Sequence, residues 1–80
     1  MLFSRKELSY LQRCYHLTPR ELEIVKLVCQ GLDDNEMARK LKIKYNTVGT
    51  HVGNICRRMG VKGKVGIVLG FLELLKKRQD

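Results

Sequence analysis

The fold is decided by residues 33–60, which read DDNEMARKLKIKYNTVGTHVGNICRRMG. This stretch opens with Asp33 in the D-x-x-E spacing of a helix cap, and the apolar residues that follow predict a short helix over about 34–41. A second helix is predicted over about 45–59, because apolar residues recur there at helical spacing and Gly60 can end it. Two short helices joined by a tight turn are typical of a helix-turn-helix motif.

Further helices are predicted on both sides of this motif. Ser4 and Thr18 each stand three residues before a glutamate, in the spacing of a capping box, and so begin helices over about 5–15 and 19–30. A last helix is predicted over about 63–77, and no alternating apolar pattern predicts a strand.

The predicted fold class is therefore all-α. A chain of 80 residues has room for one small domain. We expect a four-helix helix-turn-helix domain over residues 17–80, preceded by a short N-terminal helical extension over residues 1–16.

Positive charge is concentrated in one part of the chain. The sequence contains 16 Lys and Arg against 8 Asp and Glu, a net charge of +8. Residues 37–64 hold half of those bases and no acid, whereas residues 1–36 and 65–80 are each close to neutral. A basic patch of this kind predicts a polyanionic partner, and the alternative is a solvated basic surface.

Several function classes are excluded by what the sequence lacks. No apolar run approaches the roughly 18 residues of a membrane span, and no signal peptide begins the chain, so we expect a cytoplasmic protein with no membrane partner. Cys14, Cys29 and Cys56 are too far apart for a metal site. Since no acid–base pair or nucleophile–histidine set is present either, we expect no enzyme, no metal and no other cofactor.

Residues 17–65 contain a dense set of motifs without gaps. These are Leu17-Thr18-Pro19-Arg20-Glu21, Gly31, Glu36-Met37-Ala38 with Leu41 and Ile43, Thr47-Val48, His51, Asn54-Ile55 and Met59-Gly60-Val61-Lys62. In these residues the chain resembles the LuxR/GerE type of bacterial DNA-binding domain, also known as the NarL-type effector domain. The resemblance implies a four-helix domain that binds the major groove of double-stranded DNA through helix 45–59, dimerises through its last helix and works in the bacterial nucleoid.

Helix 45–59 is predicted to bury one apolar stripe and to present the opposite face to DNA. On that face Thr50 and Asn54 can contact base edges, while Arg57 and Arg58 lie a turn further on and suit phosphates. The candidate DNA-binding residues are Lys40, Lys42, Lys44, Asn46, Thr47, Thr50, His51, Asn54, Arg57, Arg58 and Lys62.

The same helix departs from the resembled family at its outward positions. Gly49 and Gly53 stand where family members commonly carry a long basic side chain, and each glycine can cost about 1 kcal/mol relative to alanine. Either a close approach of the backbone, with Thr50 and Asn54, replaces those side chains, or base readout is weak. Lys44 stands in the place of the usual serine cap.

The last helix is apolar nearly all round over residues 65–75, so more than one of its sides must be covered. A second subunit is the simplest cover, and we expect a homodimer interface. Its expected residues are Gly66, Ile67, Gly70 and Leu74. The alternative is that helix 5–15 folds over that surface within one chain.

These patterns predict a DNA-binding transcription regulator that acts as a homodimer. The initiating methionine and the capped first helix favour a stand-alone regulator. The alternative is a protein-interaction module that keeps the helix-turn-helix scaffold with weak or lost base readout and binds RNA polymerase or another regulator. The unopposed bases favour the first hypothesis, and the two glycines motivate the second.

Overall fold

The first three helices begin at the caps that the sequence predicts. The computed structural model describes residues 4–78, with the backbone alone for Arg78. In α1 (Arg5–Tyr15), α2 (Pro19–Cys29) and α3 (Asp34–Leu41) the cap side chain accepts a hydrogen bond from the glutamate N–H three residues on. That glutamate carboxylate accepts one from the N–H of the cap residue in return. These reciprocal bonds satisfy donors that a helix start leaves unpaired.

Two longer helices complete the chain, and the described residues contain no strand. α4 (Tyr45–Met59) starts at Lys44 without a side-chain hydrogen bond at its cap, and it ends at Gly60, which has a left-handed φ of 70°. α5 (Gly63–Arg78) follows after a short turn. The predicted helix bounds agree with the structure to within one residue at each end.

One hydrophobic core draws on all five of these helices. Its fully buried side chains are those of Leu11, Ile24, Val25, Met37, Val48, Ile55, Ile67 and Phe71. The ring of Tyr15 in α1 stacks on that of Phe71 in α5, with centroids 5.9 Å apart and planes 6° apart. α1 therefore shares the core of the other helices, while the predicted domain boundary after residue 16 stays a prediction.

The structure corrects the expected contacts of α5. Ile67 is fully buried in the core of its own chain, so it is not available to a partner subunit. A Cβ built on Gly66 would lie 3.0 Å from Cβ of Val61, and one on Gly70 would lie 2.9 Å from Cε of Met59. The two glycines therefore allow α5 to pack closely on the end of α4 and the turn that follows it.

The apolar surface that α5 leaves exposed is a different one. Leu74 is half-buried beside the core, whereas Val65, Leu69 and Leu72 are 72%, 56% and 47% exposed. Because these three residues follow the i, i+4, i+7 spacing of one helix face, they form a single ridge, here called the α5 stripe. α1 packs on another side of α5, so the N-terminal helix covers that helix only in part.

Candidate nucleic-acid interface

The helix-turn-helix pair consists of α3 and α4, joined by residues 42–44. Lys42 ends α3 with a left-handed φ of 57°, which turns the chain sharply toward α4. Met37 and Ala38 on α3 and Val48 on α4 are buried in the same core. Their shared packing holds the two helices at a fixed angle, and α4 packs on α2 and α5 as well.

A buried carboxylate ties α4 to α2. The guanidinium of Arg58 donates to the carboxylate of Glu21, whose side chain is only 4% exposed. The same carboxylate oxygen accepts a hydrogen bond of 2.8 Å from the N–H of Thr18. Because a buried carboxylate without a partner is costly, Arg58 is held toward the protein. The guanidinium thus links α4 to α2, while the Arg58 side chain stays 39% exposed, so its phosphate contact stays a prediction.

A second ion pair involves another of the bases in residues 37–64. Nζ of Lys64 lies 2.8 Å from Oδ1 of Asp34 and joins the start of α5 to the start of α3. Of the eight bases in residues 37–64, the six others are exposed and make no ion pair within residues 4–78. These six form the basic rim: Arg39, Lys40, Lys42, Lys44, Arg57 and Lys62.

The outward face of α4 lies opposite its buried stripe. Val48 and Ile55 are fully buried, whereas Asn46, Thr50 and Arg57 are exposed. Oγ1 of Thr50 donates to the carbonyl oxygen of Asn46 at 3.1 Å, so its proton is used within the helix while its lone pairs and methyl group remain.

Three further predicted residues of α4 are half-buried. Asn54 accepts a hydrogen bond from the guanidinium of Arg57 through Oδ1, which leaves its amide protons for another acceptor. Thr47 and His51 lie at the edges of the outward face. The structure therefore places Asn46, Thr50, Asn54 and Arg57 together on one surface.

The two glycines of α4 leave open space beside the helix. Apart from the adjacent residues and the backbone of the helix itself, no atom lies within 4 Å of the position that a Cβ would take at Gly49 or at Gly53. Packing within the chain therefore does not require glycine at either position. The outward face is smooth there, and another molecule can approach the backbone closely.

Two exposed residues near the outward face of α4, Tyr45 and Arg39, are not among the DNA-binding residues that the sequence predicts. Tyr45 is 54% exposed in the first turn of α4, although its register next to Val48 and Val52 suggests burial. It lies at the very start of the helix, outside the core cluster. Arg39 is exposed near the end of α3, and its place among the bases of residues 37–64 was the signal that could have found it.

The part of the chain that the structure describes bears on three other properties, namely metal binding, thiol chemistry and membrane insertion. No three His, Cys, Asp or Glu side chains there are grouped closely enough to hold a metal ion. Burial raises the pKa of the Cys29 thiol to about 11, so this thiol stays protonated and unreactive at neutral pH. No helix between residues 4 and 78 is long and apolar enough to cross a membrane.

A short helix, a three-residue turn and an amphipathic helix with a basic rim define a helix-turn-helix DNA-binding domain. The family profile for bacterial regulatory proteins of the luxR family matches residues 15–70, and the chain belongs to that family. Its members are DNA-binding transcription regulators and not enzymes.

Similar curated proteins are regulators too. The nitrate/nitrite response regulator protein NarL of Escherichia coli strain K12 is 45% identical over 49 residues, which cover 61% of this chain and 23% of that protein. The nitrate/nitrite response regulator protein NarP of the same strain is 35% identical over 57 residues, which cover 71% of this chain and 26% of that protein. A putative HTH-type transcriptional regulator of Mycobacterium tuberculosis strain H37Rv is 35% identical over 52 residues, 65% of this chain and 6% of that protein.

The chain thus spans about a quarter or less of the length of these relatives. No solved structure gives a significant match to it.

Proposed function

We propose that this chain acts as a transcription regulator by inserting α4 into the major groove of double-stranded DNA. The observation that carries this proposal is the outward face of α4, which lies outside the core and is bordered by the basic rim. An α-helix fits the width of the major groove, and base edges there distinguish all four base pairs. The similarity to a response regulator and to a putative transcriptional regulator agrees with this function.

In the proposed interface, different residues supply affinity and sequence recognition. Lys42 and Lys44 lie at the start of α4, and Arg57 and Lys62 lie near its end. Since α4 has 15 residues and so a length of about 22 Å, cations stand at both ends of the reading helix. There they neutralise phosphates and add affinity without reading sequence. The proposed groove contacts between them are Asn46, Thr47, Thr50, His51 and Asn54, with Lys40 as a further phosphate contact.

We also propose that two copies pair through the α5 stripe. Val65, Leu69 and Leu72 are apolar, exposed and aligned, and such a ridge suits a partner surface. A twofold dimer presents two copies of α4 to half-sites about one helical turn of DNA apart.

The second candidate function is the protein-interaction module. Its support is the absence of long side chains at Gly49 and Gly53, which leaves few groups to read bases. In that case a regulator or RNA polymerase, rather than DNA, would occupy the outward face of α4.

A salt series of duplex binding separates the two candidates. The chain is expected to bind a duplex with an affinity that falls steeply as salt rises. Replacing Arg57 and Lys62 with alanine should lower affinity for all duplexes alike and reduce the slope of log affinity against log salt by about two.

The matched control replaces Lys76 and Lys77, which are exposed near the end of α5, with alanine. This control removes the same charge and should leave the slope nearly unchanged. Absence of duplex binding by the unmutated chain would reject the proposal in favour of the interaction module.

A further inference from the structure

The outward face of α1 carries a second basic surface. Arg5, Lys6, Ser9 and Arg13 are all exposed and line a shallow depression of about 350 Å³. Arg5, Ser9 and Arg13 stand at successive i, i+4 positions, so they follow one line with about 6 Å between neighbours. This line lies outside residues 15–70, the part of the chain that the luxR profile matches.

No acidic side chain in the described part of the chain forms an ion pair with the cations on this face. Arg5, Lys6 and Arg13 make no ion pair within residues 4–78. The one acid of α1, Glu7, is used at the helix cap, where its carboxylate accepts a hydrogen bond of 2.8 Å from the N–H of Ser4. The face is therefore positive and unbalanced.

Helix stability does not account for two of these cations. Arg5 and Lys6 lie in the first turn of α1, and the helix dipole disfavours positive charge at that end. Glu7 in the same turn offsets the effect only in part. A negatively charged partner, in contrast, would use both side chains.

α1 and the end of α4, which carries Arg57 of the basic rim, contact different residues of α5. Phe71 of α5 contacts Tyr15 of α1, whereas Gly66 and Gly70 lie against Val61 and Met59 at the end of α4. Because successive residues of a helix are rotated by about 100°, α1 and the end of α4 pack on different sides of α5. The basic face of α1 and the part of the basic rim that lies at the end of α4 therefore belong to helices with different contacts on α5.

We propose that the outward face of α1 binds an acidic helical segment of another protein. Carboxylates repeated at every fourth residue of such a segment have the same spacing as Arg5, Ser9 and Arg13. Guanidinium groups bind carboxylates through paired hydrogen bonds, and the Ser9 hydroxyl adds a donor between them. This inference goes beyond the proposed DNA binding and does not depend on it.

The test uses the 80-residue chain and a labelled, alanine-rich peptide with glutamate at every fourth position. Its control peptide carries glutamine instead. Replacing Arg5 and Arg13 with glutamine should weaken binding of the acidic peptide about fivefold at low salt, whereas replacing Arg57 and Lys62 with glutamine should leave it unchanged. Duplex binding should weaken when Arg57 and Lys62 are replaced, and it should stay unchanged when Arg5 and Arg13 are replaced.

Amide chemical-shift mapping on the unmutated chain provides a readout that does not depend on the folding of any variant. The acidic peptide should shift amides of residues 5–14 in particular. Equal weakening of peptide binding in both variants, or shifts centred on residues 39–62, would overturn the proposal as general charge attraction. A smaller salt slope of duplex binding in the Arg5 and Arg13 variant would overturn it in favour of a DNA contact.

Discussion

At the residue scale, two neighbouring arginines show how the fold gives different contacts to identical side chains. Arg57 points to the outward face of α4 and donates to Asn54, while Arg58 reaches the buried carboxylate of Glu21. The sequence alone predicted phosphate contacts for both. It could not separate them, because Glu21 is 37 residues away and only the packing of α2 on α4 brings it close.

The candidate readers are tested by removing them singly. Thr50→Ala and Asn54→Ala should reduce discrimination between a selected site and random duplex more than they reduce affinity, because each side chain is proposed to contact a base edge. A good base contact supplies about 1–3 kcal/mol of discrimination. The ratio of the two dissociation constants measures the effect, and Gln30→Ala, exposed at the end of α2, is the control. An unchanged ratio would show that neither residue reads bases.

At the element scale, the helices follow from signals within a few residues of each boundary. The caps at Ser4, Thr18 and Asp33 each depend on a glutamate three positions on, and Gly60 ends α4 in the left-handed region. Such signals are local, so the sequence predicts the helices and the turn of the motif well. The rotation of α5 depends on distant partners, and for this reason Ile67 was expected at an interface and lies in the core.

The glycines of α4 give a stability prediction at this scale. Gly49→Ala and Gly53→Ala together should raise the free energy of unfolding by about 1–2 kcal/mol, since a Cβ meets open space at both positions and alanine favours a helix. Thermal unfolding should then shift upward by roughly 4–8 °C per kcal/mol.

The control for these variants is Gly60→Ala, which should lower the unfolding temperature because its φ of 70° strains an alanine. No gain from the α4 substitutions would contradict the account of that helix. The duplex affinity of the alanine variants separates the two interpretations of the glycines. A loss indicates close approach of the backbone to DNA, and no change indicates weak readout.

At the scale of the whole molecule, one small core presents three different surfaces. These are the outward face of α4 with the basic rim, the apolar α5 stripe and the basic face of α1. The concentration of bases in residues 37–64 let the sequence predict the first surface. The other two depend on how α1 and α4 pack against α5, which local patterns do not specify.

The dimer proposal is tested on the α5 stripe. Leu69→Arg should shift the protein toward monomer without loss of fold, because Leu69 is 56% exposed and a charge there opposes an apolar interface. Gly66→Arg, in contrast, should lower stability, since a Cβ at position 66 would lie 3.0 Å from Cβ of Val61 and 3.8 Å from its backbone carbonyl carbon in the same chain. Sedimentation equilibrium and thermal unfolding measure the two effects, with Gln30→Arg as control. An unmutated protein that is already monomeric at high concentration, and stays so on DNA, would contradict the proposed interface.

The central claim is that α4 lies in the groove of DNA, and amide chemical-shift mapping of the isotope-labelled chain with a duplex tests it most directly. The account predicts that the largest shifts fall between residues 42 and 57, with Thr50 and Asn54 among them, and that amides of α1 respond little. Largest shifts on α1 or along the α5 stripe, with α4 unaffected, would contradict it.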